Sequence, residues 1–316
     1  MGLDTAVRRV KRFCVDRPAL KRRVKQARYA GIQALSLALG AQRDDAPRML
    51  GYHTVGEGET DLSVSLAQFR QQVDWLLDHG YRILTLAQWW QLMRSGDVPR
   101  RGVVLTFDDG FGALWQQAAR VLSERGATAT VFVVTDYVGR RNSFDRPFLQ
   151  GPESELLHWH ELEHLRDAGW DIQSHGRRHY PMVQLESAAL EEEAAGSKAV
   201  LERRLGIRVD FFCYPYGALD AQAVEAVARA GYLGAVTCRA GALPSHGAGD
   251  RYRLPRSLVD GLMRRGDFSA IFRRGYLRLG AVERWVQQCV GADEEGVFDE
   301  MDKLEHISWR REASAT

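Results

Sequence analysis

The sequence predicts an α/β fold, a closed or nearly closed barrel of seven or eight parallel strands. From Met49 onward, short apolar runs that suit strands alternate with helical patterns, which indicates repeated strand–helix units and a parallel sheet. Three helical segments also end in the same way, since Gly126, Gly169 and Gly231 each follow a helix and precede an apolar run. A glycine at this position is a common helix stop. A closed or nearly closed barrel accommodates such a repeat.

The strands are predicted where short apolar runs are bounded by turn residues. In chain order we place them at Met49–Val55, Tyr81–Leu86, Val103–Phe107, Thr128–Thr135, Trp170–Ser174, Val209–Tyr214 and Leu233–Thr237, with Tyr252–Arg256 as a last edge element. One helix is predicted over Ser65–His79, where a serine can cap the start and Gly80 ends the apolar stripe. Another is predicted over Ser187–Leu205, with acidic residues early and arginines late, as the helix dipole favours.

The domain organisation follows from length and composition. The 316 residues, 45% of them hydrophobic, can bury a large core. We predict a basic helical N-terminal extension over residues 1–46, the barrel domain over 47–260, and a helical C-terminal appendage with a tail over 261–316. The sequence does not indicate an oligomeric state.

Basic residues concentrate at the start of the chain. Residues 1–30 carry ten Lys and Arg against Asp4 and Asp16, whereas the whole chain has a formal charge of only +2. This small excess does not point to a nucleic-acid partner. The basic segment is predicted either to contact an anionic membrane surface or to pack on the barrel as a solvated helix.

The cysteines and the apolar segments indicate the cellular compartment of the protein. Cys14, Cys213, Cys238 and Cys289 form no CxxC pair, which favours reduced thiols over a zinc knuckle or a disulfide framework. The apolar stretch Ala30–Ala41 is interrupted by polar residues and is too short to cross a bilayer. We therefore predict a cytoplasmic protein, with peripheral contact at the inner face of the membrane as the alternative.

Polar motifs follow three predicted strands, whose carboxyl ends converge on one face of a parallel barrel. The first motif is Thr106-Phe107-Asp108-Asp109-Gly110. Two adjacent carboxylates repel each other unless a cation or a shared proton relieves them. An ordinary turn is the alternative interpretation of Asp-Asp-Gly.

The second motif is Ser174-His175-Gly176-Arg177-Arg178-His179. Two histidines four residues apart lie on the same side of a helical turn and can present imidazole nitrogens to one metal ion. Alone, such a pair also occurs on ordinary surfaces. With a carboxylate from the first motif, it completes a two-histidine, one-carboxylate set that leaves positions for water and substrate.

The third motif, Phe212-Cys213-Tyr214-Pro215-Tyr216-Gly217, closes another apolar strand. A rigid turn of Pro215, an aromatic residue and glycine can line a substrate groove and aim backbone N–H groups at an oxyanion. An ordinary strand-to-helix turn is the alternative.

The order TFDDG, SHxxxH and YPYG resembles that of the polysaccharide deacetylases, the NodB-homology carbohydrate esterases. The resemblance extends over roughly Met49 to Val259 and includes the flanking segments Gly51–Val55 and Arg253–Arg256. It implies a distorted TIM-like (β/α) barrel with about seven strands.

The resemblance also implies roles for single residues. Asp108 would be the general base, and Asp109, His175 and His179 would hold a divalent metal. Zinc suits these ligands, and cobalt, nickel or manganese can use the same set. Tyr216, in the turn with Tyr214 and Pro215, would lie beside the acetyl group, and His53 is expected either to contact substrate or to make a structural hydrogen bond.

Two departures from the family pattern concern catalysis. Many members have an arginine where this chain has Cys213, and we expect Arg256 to orient the catalytic aspartate instead. Many members also supply a late histidine in a Leu-x-His setting as the general acid, and this motif is absent. After His179 the chain has only His246 and His306, so His246 is the candidate acid, with an exposed loop histidine as the alternative.

The function implied is removal of N-acetyl groups from N-acetylhexosamine units of a polysaccharide, an oligosaccharide or a lipid-linked sugar. An O-deacetylase would use the same residues on an ester. Another hydrolase of C–N bonds, acting on a small cyclic amide, is a second alternative. A carbohydrate-binding protein with a decayed site is a third, favoured by the two departures and opposed by the intact aspartate and histidine pairs.

Overall fold

The computed structural model describes residues 18–56, 62–145, 153–247 and 249–278. The first 17 residues of the predicted basic extension and the predicted tail after residue 278 lie outside the described residues. The strands are β1 (Arg48–Tyr52), β2 (Thr54–Val55), β3 (Ser63–Val64), β4 (Arg82–Leu84), β5 (Gly102–Phe107), β6 (Thr130–Val133), β7 (Asp171–Ser174), β8 (Phe211–Cys213), β9 (Gly234–Val236) and β10 (Ser257–Leu258).

Eight of these strands form one sheet in which every neighbouring pair is parallel. The order is β10-β1-β5-β6-β7-β8-β9, and β4 pairs with the first half of β5. Leu254 forms a parallel bridge with Val236 of β9, so the segment 254–258 joins β9 to β1. The sheet therefore curls into a nearly closed, distorted (β/α) barrel, and the predicted fold class is confirmed.

Two predicted strands differ from those in the structure. The run Met49–Val55 is interrupted at His53, so that β1 ends at Tyr52 and β2 pairs with β3 in a separate two-stranded sheet. The predicted edge element at Tyr252–Arg256 is also wrong in its position. Arg251–Arg253 forms a short 3₁₀ turn because the side chain of Asp250 accepts the Tyr252 N–H, and β10 begins only at Ser257.

The helices alternate with the strands as predicted. Ser65 caps α2 by accepting the Gln68 N–H at 3.2 Å, and Gly96 ends α3 with a φ of 81°. Two helices contain a π-helical turn. The helices are α1 (Pro18–Gly40), α2 (Leu66–Asp78), α3 (Leu86–Ser95), α4 (Leu114–Ala118 and Ala119–Ser123), α5 (Trp159–Asp167), α6 (Ser187–Glu191, Glu192–Gly196 and Ser197–Leu205), α7 (Ala221–Arg229) and α8 (Arg265–Ala270).

Strand alternation determines which residues reach the barrel interior. Val103, Leu105 and Phe107 of β5 belong to the large apolar core between sheet and helices. Val104 belongs to a second core that also contains Trp89 and Trp90 of α3. Since successive side chains point to opposite faces, Thr106 and then Asp108 continue the interior face toward the carboxyl end of the barrel.

The helix α1 packs against α8 and the segment that follows it. A Cβ at Gly275 would lie 1.9 Å from the Ser36 carbonyl oxygen, so the two segments approach at backbone distance. Lys25 pairs with Asp260 at 2.8 Å, just after the carboxyl end of β10. The basic end of α1 therefore lies on the same side as the carboxyl ends of the strands. None of the described helices combines the length and hydropathy that crossing a bilayer needs.

Candidate metal centre

A carboxylate and two imidazoles converge at the carboxyl ends of β5 and β7. Asp109 Oδ1 lies 3.4 Å from His175 Nε2 and 3.3 Å from His179 Nε2. All three side chains are buried. His175 Nδ1 donates to the Cys213 carbonyl oxygen at 2.8 Å, which directs Nε2 toward Asp109.

The donor set fits a divalent ion. Asp109 Oδ1 is buried and makes no hydrogen bond among the described residues, although two ring nitrogens lie close to it. Burial lowers the pKa of His179 to about 3, so this imidazole is neutral near pH 7. Burial opposes ionisation of Asp109, but His179 and His175 hold its pKa well below the ordinary value. An ionised carboxylate and a neutral imidazole are the forms that bind metal. Burial opposes protonation of His175, but Cys213 and Asp109 raise its pKa, so a divalent ion would bind there with release of a proton.

The backbone is strained at this site. Among the described residues, the non-glycine residues with positive φ are Asp109 at 68°, His179 at 61° and Tyr216 at 58°. Such conformations cost free energy and cluster at functional sites, where the surrounding structure imposes them. One of the three follows each of the strands β5, β7 and β8, whose motifs were singled out in the sequence.

The two histidines are brought together by a loop. Residues 175–181 contain no helix, and the loop turns at Gly176, with a φ of 81°, and again at His179. The expectation of a shared helical face is therefore wrong, although the four-residue spacing did identify two side chains that meet.

Asp108 is held by Arg256. The guanidinium donates from Nη1 to Oδ1 at 2.6 Å and from Nη2 to Oδ2 at 2.7 Å, a two-bond geometry that is among the stronger ion pairs. Arg256 Nη1 also donates to Thr106 Oγ1 at 3.0 Å. Burial opposes ionisation of Asp108, but Arg256 holds the pKa of this carboxyl below its ordinary value.

The space for this guanidinium lies beside Cys213. Arg256 Nη2 is 3.2 Å from Cys213 Sγ, and both residues are fully buried. Arg256 thus reaches Asp108 from the segment before β10, with the Cys213 thiol beside the guanidinium.

Aromatic rings flank His179. Tyr216 and Phe144 have ring centroids 4.5 Å and 4.6 Å from the His179 ring. Pro215, which begins the 3₁₀ turn Pro215–Gly217, is buried. The sequence did not single out Phe144, because the segment after β6 has no motif that marks it.

Tyr214 and His53 were both expected near the substrate, and the structure places them in different surroundings. Tyr214 is fully buried in the large core and donates to the Tyr252 carbonyl oxygen at 3.2 Å, so it does not line the site. His53 directly follows β1 and is partly exposed. Its Nδ1 is buried and makes no hydrogen bond among the described residues.

The structure does not bring His246 to the site. Its loop is exposed, and the Leu243 N–H donates to the Pro47 carbonyl oxygen before β1. The Arg251 carbonyl oxygen lies against Gly234 at the start of β9. Both flanks are thus at the amino ends of the strands, opposite the carboxylates, which corrects the expectation that His246 supplies a proton. His306 lies outside the described residues.

The curled parallel sheet with this strand-end site defines a barrel of the NodB-homology class. Residues 95–235 match the sequence model of the family described as polysaccharide deacetylase. Over these residues, a little under half of the chain, the sequence is similar to that family, and the resemblance noted in the sequence is confirmed.

Individual relatives agree with this assignment. YxkH of Bacillus subtilis (strain 168) is 26% identical over 195 residues, which cover 61% of this chain and 65% of that protein. The poly-beta-1,6-N-acetyl-D-glucosamine N-deacetylase of Staphylococcus epidermidis (strain ATCC 35984) is 26% identical over 207 residues, covering 62% of this chain and 68% of the relative. The crystal structure of BC0361, a polysaccharide deacetylase from Bacillus cereus, matches with a TM-score of 0.59 and 26% identity over 72% of this chain and 69% of that one. The chain thus spans about two thirds of these relatives.

Proposed function

We propose that the chain is a metal-dependent deacetylase that removes N-acetyl groups from N-acetylhexosamine units of a polysaccharide, an oligosaccharide or a lipid-linked sugar. The observation that carries this proposal is the convergence of Asp109, His175 and His179 beside Asp108 in a buried site. The name of the Staphylococcus epidermidis relative supports N-acetyl chemistry on a sugar polymer.

The metal site would supply the electrophile. A divalent ion held by the three ligands would polarise the acetyl carbonyl and lower the pKa of a water molecule there. Two imidazoles and one carboxylate suit zinc, and cobalt, nickel or manganese can use the same ligands.

The remaining residues move protons and orient groups. Asp108 is the base that accepts the water proton, and Arg256 keeps it ionised and fixes both of its oxygens. We assign proton donation to the leaving amine to His53, since it follows β1 at the carboxyl ends of the strands, is partly exposed, and has a buried Nδ1 that makes no hydrogen bond among the described residues. Tyr216 and Phe144 form the wall beside the acetyl group, and the products are acetate and a free amine.

The test is acetate release from N-acetylglucosamine oligomers before chelation, after chelation and after Zn²⁺ is restored. Activity should be lost and then recovered, and Asp108→Asn should lower the rate by about 10²- to 10⁴-fold. The exposed Asp97 offers a control, and Asp97→Asn should leave the rate unchanged. Unimpaired activity of Asp108→Asn would contradict the mechanism.

The same assay separates the alternatives. Release from O-acetylated sugars alone would favour an O-deacetylase. Stoichiometric metal binding without release from any acetylated sugar would favour a carbohydrate-binding role.

We also propose that α1 contacts an anionic membrane surface. Arg22 and Arg23 are exposed and lie within one turn of Lys25, which pairs with Asp260 just after β10. Leu37, 43% exposed, lies on the same side of the helix. Cationic and apolar side chains together suit such a surface. Arg22→Glu with Arg23→Glu should reduce cosedimentation with phosphatidylglycerol vesicles, whereas the control pair Arg203→Glu and Arg208→Glu should not. Equal binding by both double variants would refute the contact.

A further inference from the structure

The loop that carries the two histidines is held from outside by one buried carboxylate. Glu193 lies in the π-helical turn of α6 and is fully buried. Its Oε2 accepts the backbone N–H groups of Arg177 at 2.7 Å and Arg178 at 2.9 Å. Its Oε1 accepts Nε of Arg178 at 3.1 Å. A single side chain thus fixes consecutive peptide groups between His175 and His179.

This arrangement explains why the loop needs a glycine. Gly176 has a φ of 81°, and a Cβ there would lie 2.8 Å from Glu193 Oε2. The carboxylate therefore occupies the place of a side chain at this turn. A buried carboxylate is costly unless its oxygens are hydrogen-bonded, and here both oxygens accept from the loop or its guanidinium.

The other side of the loop is held by the segment after β6. The guanidinium of Arg177 donates to both oxygens of Asp136 at 3.1 Å and 3.0 Å. The Asp136 N–H donates to the Arg177 carbonyl oxygen, and the Thr135 N–H donates to that of Gly176. The loop is therefore clamped between β6 and α6, with Glu193 as its fully buried contact.

The neighbouring Glu192 provides an internal comparison. It pairs with Arg178 at 3.0 Å and also with Arg177, but its side chain is 48% exposed. Among the described residues, the Glu192 carboxylate accepts from guanidinium groups, whereas the Glu193 carboxylate also accepts from the loop backbone. Both glutamates therefore contact these arginines, but Glu193 also holds the loop backbone.

We propose that Glu193 is a positioning residue that sets the separation and orientation of His175 and His179 for a divalent ion. This inference rests on the metal site of the proposed function. Ligand atoms must lie within a few tenths of an ångström of their ideal distances, and His179 has a positive φ that its surroundings must impose. Glu193 supplies that constraint through the backbone N–H groups of the two residues that precede His179.

The test measures metal affinity directly. Zn²⁺ affinity is obtained by competition with a chelating dye, and the ligand geometry from the absorption spectrum of the Co²⁺-loaded protein. Glu193→Ala should raise the Zn²⁺ Kd by about 10- to 100-fold, the range for groups that orient metal ligands. Glu193→Gln keeps one acceptor for the backbone and should show a smaller rise. Glu192→Gln, which removes an exposed charge, should change Kd by less than about fivefold.

The outcomes are distinct. An unchanged Kd and Co²⁺ spectrum in the Glu193 variants, even with a lower unfolding temperature of the metal-free protein, would overturn the positioning role and leave the proposed function intact. A native chain that binds neither ion would refute the metal site itself, and the inference with it. If Glu193→Ala does not fold, the comparison of Glu193→Gln with Glu192→Gln decides.

Discussion

Arg256 and Cys213 show how one residue's identity depends on another that is distant in the chain. The guanidinium that orients Asp108 comes from the last segment of the barrel, and a fully buried thiol lies beside it. The Arg256 guanidinium therefore fits beside Asp108 because residue 213 on β8 is small.

Placing an arginine at position 213 on β8 tests this dependence. Cys213→Arg should place a second cation in a fully buried space with one carboxylate partner, lowering the free energy of unfolding by about 3–5 kcal/mol and abolishing acetate release. Adding Arg256→Ala should recover much of the stability and part of the activity. Urea unfolding measures the stability of the two variants, and acetate release measures their activity. A single variant as stable as the native chain, or a double variant no better than the single one, would contradict the exchange.

At the scale of elements, α3 is the helix that fills the barrel. Trp89 is fully buried with Met49 of β1 and Val104 of β5 in the inner core. Trp89→Ala should lower the free energy of unfolding by about 3–5 kcal/mol because it leaves a large cavity. Gln91 is exposed on the same helix, and Gln91→Ala should have little effect. Urea unfolding of the two variants compares them, and similar midpoints would show that α3 does not support the core.

Asp171 joins three elements at the start of β7. Its carboxylate accepts from Thr130 of β6, from the Ala87 N–H of α3 and from Gln173. Burial raises its pKa above the ordinary value.

This shift has a defined sign. A carboxyl whose pKa is higher in the folded state binds its proton more tightly there, so the associated stability is present at low pH and is lost as pH rises through the folded pKa. The free energy of unfolding of Asp171→Asn relative to the native chain should therefore increase from about pH 4 upward. Urea unfolding across this range measures the difference, and a difference that does not vary with pH would contradict the raised pKa.

The sequence could predict the elements and their faces because both are local properties. Alternation along β5 placed Asp108 at the carboxyl end of an apolar strand, and the same end of β7 placed His175. The loop geometry between His175 and His179 was not predictable, since it depends on Glu193 from another element. His246 was misjudged for the same reason, because nothing near it in the chain indicates that its loop runs to the amino ends of the strands.

For the whole molecule, metal binding should be visible as stability. An ion that binds only the folded chain adds about 2.7 kcal/mol at a free concentration of 100 times its Kd. The unfolding temperature should therefore rise with Zn²⁺, and Asp109→Ala should not respond. Asp97→Ala should respond as the native chain does. An equal rise in Asp109→Ala would show that the ion binds elsewhere.

The segment that joins β9 to β1 carries the partner of Asp108, 148 residues further along the chain. We therefore expect activity only when the segment 254–258 has joined β9 to β1 and closed the barrel. A chain still being synthesised, or one in which the segment 254–258 has detached from β1 and β9, would retain most of its secondary structure while Asp108 had no cation beside it. Such a molecule would have no deacetylase activity before its secondary structure began to unfold.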